Sequence, residues 1–488
     1  MTTMNLARRF TETARRLPDK PAVLDDAGSH TYGAILAAAR ALAARVRAAT
    51  PRDHVAIVTP TSGAFPVAYF GVLLADKVPV PLNYLLDAAT LGLVARDAGF
   101  DTVVASRFFE RLVPALGAKP IFVEDPLPPP QESLEPARGS DDAAMLLYTS
   151  GTTGVPKGVV LTHRNLVRNV ESSYEHLSIP EDYVFLGVLP FFHSFGITTS
   201  MLLPLLRGCS AVYVAKFSPQ RVLEAIARHR VTVAFAVASM FRALLRTGRP
   251  PDLDLSHLRL PIAGGEALGV PLARRFQEVM GIPLLEGYGL TETSPTVSVN
   301  LPDRHRLGSV GPMLSWVEAQ VADDQERPLP AGAEGELWLR GDCVTPGYYR
   351  RPADNAAAFA PGGWFRTGDL ARIDADRFLW ITGRKKDLII SAGEKISPNE
   401  VESVLHQHPA VFEAAVIGVP DETRGEVAKA FITLREGAKA DAAELAAFCR
   451  ERLARYKVPA LFEFHSELPH SPTGKVLKLA LRKAEGLP

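Results

Sequence analysis

Between about residues 55 and 292 short apolar runs alternate with helical patterns: HVAIVTP, DTVVAS, PIFVED, AMLLYTS, YVFLGVLP, SAVYVAK, VTVAFAVASM, LRLPIAGG and IPLLEGYG. Runs rich in valine and isoleucine, without polar alternation, suit parallel strands covered on both faces, so the pattern predicts an α/β architecture. One intervening helix is well marked, with Ser218 as N-cap, Pro219 in the first turn and Val222, Leu223 and Ile226 on one side. Before this region Leu6, Phe10, Ala14 and Leu17 form one helical stripe, and the acidic Glu12 and Asp19 favour a surface helix over a transit peptide. The proline-rich, polar stretch EDPLPPPQESLEPARGSDD (124–142) reads as an exposed loop. From about Val317 short strands with polar turns, such as GELWLRG, GYYRR and RFLWITGRKKD, predict a small β-rich unit. After GRKKD, helix and strand patterns alternate over about 100 residues, enough for a small α+β domain.

Length and charge narrow the class. At 488 residues and roughly 150 per domain the chain should hold about three units. Its 54 basic and 54 acidic residues cancel, so no global field favours nucleic acid or an anionic membrane, and any anion must be captured locally. Cys209, Cys343 and Cys449 match no zinc or disulfide spacing and fit a reducing cytoplasm. The longest apolar stretches, FPVAYFGVLLA and TTSMLLPLL, are shorter than the roughly 20 residues a membrane helix needs.

Such local capture is offered by YTSGTTGVPKG (148–158), which packs four serine and threonine hydroxyls, three glycines and one lysine between a predicted strand and a helix starting near His163. Glycines let backbone N–H groups approach an oxyanion, while Ser150, Thr152, Thr153 and Lys157 add donors and charge. The P-loop spacing fails, because Lys157 is preceded by Pro156 and followed by Gly158. GYGLTETSP (287–295) makes another glycine-rich turn, with Thr291 as a donor and Glu292 as a hard carboxylate suited to Mg²⁺. WFRTGDL (364–370) is expected to present Asp369 in a turn, as a ribose acceptor or a plain Asx-turn.

Taken in order with GRKKD and PTGK (472–475), these segments resemble the adenylate-forming superfamily of acyl-CoA synthetases, nonribosomal-peptide adenylation domains and firefly luciferases, over essentially the whole chain. The resemblance implies a large N-terminal domain (1–385) of two α/β subdomains plus a β-rich one. A small mobile α+β C-terminal domain (386–488) would follow, hinged near Lys386. It also implies ATP, Mg²⁺ and coenzyme A as cofactors. Thr149, Ser150, Gly151, Thr152, Thr153, Gly154 and Lys157 would hold the ATP phosphates, and Thr291 and Glu292 the α-phosphate and the metal. Gly265, Glu266, Ala267, Gly287 and Tyr288 would line adenine, with Ile381 packed near the base and Asp369 and Arg384 on the ribose. Lys475 would act in adenylation. Ser391 and Gly393 would meet the pantetheine after the small domain turns, and Lys457 is a candidate for the CoA nucleotide.

For the acid, the resemblance sets His193 of LPFFHSFG at the carboxylate end, although a histidine among aromatics is also an ordinary core residue. Val237, Ala238 and Ser239, with Gly264 and Gly289, would border the acyl group. Val237, Ala238 and Ser239 are small and leave volume for an alkyl chain. No aspartate follows Val184 up to Ser200 to pair with an amine, so an α-amino acid is disfavoured. The expectation is an AMP-forming ligase of a medium- or long-chain fatty acid. Alternatives are transfer to an acyl carrier protein, an aryl or short-chain acid, luciferase-type oxidation and a non-catalytic binding module.

Overall fold

The computed structural model describes residues 4–129, 136–149, 156–248, 253–315, 317–470 and 476–487. At its centre lies an eight-stranded sheet. Strands Leu285–Gly289, Leu260–Ala263, Val233–Ala236, Val184–Gly187, Ser210–Tyr213 and Pro21–Asp25 run parallel in that spatial order. Antiparallel strands Thr296–Val299 and Gly28–Thr31 close the two edges. A second, wholly parallel sheet orders Val78–Pro81, His54–Val58, Thr102–Ala105 and Lys119–Phe122. Both bury their valines and isoleucines on two faces, as the unalternated runs require.

The apolar stretch after Gly63 forms the helix Ala64–Leu74, buried nearly all round, with Phe70 stacked on Phe10 of the N-terminal helix Leu6–Arg16 at 3.9 Å. Helix Pro219–Arg228 starts after Ser218 and buries Val222, Leu223 and Ile226, as expected, but the Ser218 side chain makes no capping bond. No helix among the described residues is long and apolar enough to cross a membrane.

Two readings of the pattern change. AMLLYT does not lead directly into a helix: Ala143–Thr149 turns back into an antiparallel strand, Lys157–Thr162, before the helix His163–Leu177. The glycine-rich segment is therefore flanked by two antiparallel arms. The GYY segment leaves the β-rich unit, because Gly347–Tyr348 pairs with Lys157–Thr162 as a third strand. The β-rich unit itself is an antiparallel sheet of Glu318–Ala322, Glu334–Arg340, Trp364–Ile373, Phe359–Ala360 and Leu379–Arg384.

A large N-terminal domain thus precedes a small C-terminal one. In the latter, strands Glu394–Ile396, Ile389–Ser391, Gly425–Leu434, Val411–Asp421 and Leu461–Phe464 form one sheet, and helices Pro398–Leu405 and Ala442–Arg450 bury Val401, Leu405 and Leu445 against it.

Candidate active site

The hairpin arms set Thr149 opposite Lys157. Ser150, Gly151, Thr152, Thr153 and Gly154 lie outside the described residues, as does Lys475. The Lys157 ammonium pairs with Asp354 at 2.6 Å and lies 5.6 Å from the centre of the Tyr348 ring. The Tyr348 hydroxyl donates to Glu292 Oε1 at 2.8 Å, and the Thr345 N–H donates to the Glu292 carbonyl at 2.7 Å. Lysine and glutamate, far apart in sequence, are therefore held by one strap, 345–355.

Helix His163–Leu177 anchors the chain leading into that strap, and the GYGLTETSP turn, through two buried asparagines. Asn165 Nδ2 donates to the carbonyls of Asp342 and Val344 at 2.7 and 3.0 Å, and Asn169 Nδ2 to those of Thr293 and Thr296 at 3.0 and 2.8 Å. A buried amide with its donors used fixes the backbone it serves. The Thr291 and Ser194 hydroxyls lie 3.1 Å apart, which joins the GYGLTE turn to LPFFHSFG. His193, beside Ser194, packs its ring 4.7 Å from Phe192, and burial pushes its pKa down to about 4, so the imidazole is neutral at ordinary pH.

Gly264, Gly265 and Val237 meet at the ends of the central strands. A Cβ on Gly264 would come within 2.9 Å of the Phe195 ring and 3.5 Å of the Gly287 carbonyl; Gly265, at φ +79°, lies against Val237. Glu266 turns its carboxylate to the Ser239 N–H in the first turn of helix Ala238–Thr247, and Ala267 is exposed. On the other side, the Tyr288 hydroxyl donates to Asp369 Oδ2 at 2.5 Å and Arg384 Nε pairs with Asp369 Oδ1 at 2.8 Å, with Ile381 and Tyr288 against the same small core. Asp369 is not in a turn. It is buried within strand Trp364–Ile373, in register with Arg384 on one side, while the pairing with Glu334–Arg340 on the other side skips residues 367–369 and absorbs the glycine and threonine beside it.

Ser391 and Gly393 belong to the small domain. Ser391 is in register with Gly425, and Gly393 sits at φ +85° in the following turn with open space around it. Lys457 is clamped by both oxygens of Glu400 at 2.7 and 2.8 Å, so its charge is used inside that domain. Lys386 is exposed in the 3₁₀ turn Lys385–Asp387. Motif reading missed Tyr348, Asp354, Asn165, Asn169 and Ser194. The aromatic GYY was the single local hint.

Chemically, the cluster offers a lysine, a carboxylate without a cation partner among the described residues, hydroxyl donors and a buried aspartate. An oxygen-only set around Glu292 fits a hard cation. Mg²⁺ is such a cation and keeps waters and phosphate oxygens as ligands.

Residues 10–349 match the AMP-binding enzyme family and residues 400–475 the AMP-binding enzyme C-terminal domain. The long-chain-fatty-acid–CoA ligase of Bacillus subtilis is 34% identical over 98% of this chain and 94% of its own length. The feruloyl-CoA synthase of an Amycolatopsis species is 36% identical over 97% of each. ATP-bound MatB from Rhodopseudomonas palustris superposes with a TM-score of 0.91 at 32% identity, over 98% of both chains. The chain belongs to the AMP-binding enzyme family, the adenylate-forming acyl-CoA synthetases. It is an ATP-dependent acyl-CoA ligase that works with Mg²⁺ and coenzyme A.

Proposed function

We propose that the acid is a medium- or long-chain fatty acid, activated as its acyl-adenylate and passed to coenzyme A. The observation that carries this reading is the apolar border around Val237: Val237 and Ala238 are buried, Gly265 lies against Val237, and the Phe195 ring faces Gly264. Met240, half-buried one turn along the same helix and packed against the core, is unbranched and flexible, so it can yield to an alkyl chain. The relatives act on both an alkyl and an aryl acid by name, so the acid panel below decides between them.

In the first step the acid's carboxylate attacks the α-phosphorus of ATP in line with departing pyrophosphate, and negative charge grows on the leaving oxygens. The protein's task is positioning and charge stabilisation. Thr149, Lys157 and the glycine-rich segment between them hold the pyrophosphate end, Thr291 donates to the α-phosphate, and Lys475 meets the charge in flight. Glu292 would hold Mg²⁺, which when bound would neutralise charge on the phosphate oxygens. Asp369, fixed by Tyr288 and Arg384, keeps lone pairs for the ribose hydroxyls. His193 stays neutral beside the reacting carboxylate and does not compete for its charge. In the second step the small domain pivots near Lys386 and brings Ser391 and Gly393 to the pantetheine. The thiol then attacks the acyl carbonyl and AMP leaves.

The test is pyrophosphate release across acids from acetate through ferulate to palmitate, with and without coenzyme A. Octanoate to palmitate should give the highest kcat/KM. Activity confined to aryl or short acids would overturn the fatty-acid reading, and turnover that ignores coenzyme A but loads a carrier protein would overturn the acceptor.

A further inference from the structure

A polar ring closes behind the phosphate hairpin, on the face turned away from Lys157. Antiparallel pairing sets Thr149 opposite Lys157 and Tyr148 opposite Gly158. Directly opposed residues share a face and neighbours alternate, so Tyr148 points away from Lys157. There its hydroxyl donates to Asp97 Oδ2 at 2.6 Å, while Asp97 Oδ1 accepts from Arg351 Nη2 at 3.1 Å. Arg351 immediately precedes helix Pro352–Ala358, and from that helix Asp354 reaches the other face and holds Lys157 at 2.6 Å. One carboxylate therefore grips both supports of the lysine: the hairpin arm and the start of the helix that carries its counter-ion.

Asp97 is poorly placed for stability alone. It lies in the last turn of helix Ala88–Ala98, where the helix dipole disfavours an anion. Burial, with Asp97 second, pushes the Tyr148 pKa far up, so the phenol remains a donor at every working pH. Both bonds to Asp97 are charge-assisted and partly shielded, with side chains 32% and 24% exposed for Arg351 and Asp97.

We propose that Asp97 is a positioning residue for the triphosphate of ATP, acting through Tyr148 on the hairpin and through Arg351 on the helix that carries Asp354. The proposal rests on the reading of this hairpin as the phosphate grip. Asp97→Asn should raise the KM for ATP in pyrophosphate release about tenfold and leave the KM for the acid unchanged. Thioester formation from preformed acyl-adenylate and coenzyme A should keep its rate, because no triphosphate takes part. Tyr148→Phe keeps the packed ring and removes the hydroxyl alone; it should move the KM for ATP the same way, and the double variant should be no worse than Asp97→Asn, as a shared path requires.

Lys157→Ala is the reference arm. If it leaves the KM for ATP unchanged, the phosphate-grip reading falls whatever Asp97 does. If it raises that KM while Asp97→Asn and Tyr148→Phe do not, the grip stands and the positioning role is overturned. Should Asp97→Asn fail to fold, Tyr148→Phe decides alone: a rise confined to ATP supports the role, and equal loss in both half-reactions overturns it.

Discussion

Glu286, one residue before the GYGLTE turn, shows how a single buried group sets a pH dependence. Its Oε1 accepts the Leu268 N–H at 3.0 Å, yet burial outweighs that bond and pushes its pKa up to about 7. The unfolded chain gives up this proton near the ordinary glutamate value of about 4.3, so between the two values the folded state holds the extra proton. The stabilisation is complete below about 4.3 and is lost as pH rises through 7, an effect of order 3 kcal/mol. Glutamine mimics the neutral acid and keeps the acceptor for Leu268. Glu286→Gln should therefore flatten the dependence of the urea midpoint on pH between 5 and 8 and gain about 1–3 kcal/mol at pH 8. A variant that follows the wild-type curve would mean that the carboxyl is solvated in the folded protein.

At the scale of elements, strand Leu285–Gly289 and the 3₁₀ turn Thr291–Thr293 stand or fall together. A Cβ on Gly289 would lie 2.0 Å from the Pro295 carbonyl oxygen, whose partner is the Leu290 N–H. No side-chain rotation relieves a clash with backbone, so Gly289→Ala should cost about 3 kcal/mol or more and displace Thr291 and Glu292. Thermal unfolding should drop together with pyrophosphate release. A variant of native stability with only an altered acid preference would return Gly289 to a purely wall-forming role. The same element shows what a sequence can and cannot disclose. YTSGTTGVPKG, GYGLTE and PTGK keep glycines, hydroxyls and charge within a few residues, so their chemistry is legible locally. The bonds that hold the site together span 51, 56 and 197 residues, for Tyr148–Asp97, Tyr348–Glu292 and Lys157–Asp354; of the partners outside those motifs, Asp97 and Asp354 carry no local signature and Tyr348 only the aromatic GYY. Asp369 was misplaced because RTGD has the composition of a turn. Gly368 does adopt φ +70°, but the strand continues through it as an irregularity where the pairing with Glu334–Arg340 shifts register.

At the scale of the molecule, the proposed pivot must break a definite set of contacts between the domains. Lys395 of the small domain pairs with Asp324 at 2.6 Å, beside Lys385 at the end of the large domain, which reaches Glu336 at 3.0 Å and Asp324 at 3.9 Å within that domain. The Ser397 hydroxyl donates to the Thr382 carbonyl at 2.7 Å, and the Arg246 guanidinium lies 5.8 Å from the Phe412 ring. Among the described residues these links are mostly polar, which suits surfaces that separate in every cycle. Asp324 and Lys395 are more than half exposed, so their pair is worth about 0–1 kcal/mol: enough to bias an orientation, too little to lock it. Asp324→Lys sets a third cation against Lys385 and Lys395. It should shift the ratio of thioester turnover to pyrophosphate release about two- to tenfold at low salt. Because screening removes interactions between exposed charges, the shift should vanish by about 0.5 M salt. An unchanged ratio at low salt would show that these lysines do not govern the orientation. A change that survives high salt would point instead to the packing around Ser397 and Phe412, and would move the control of the pivot from charge to shape.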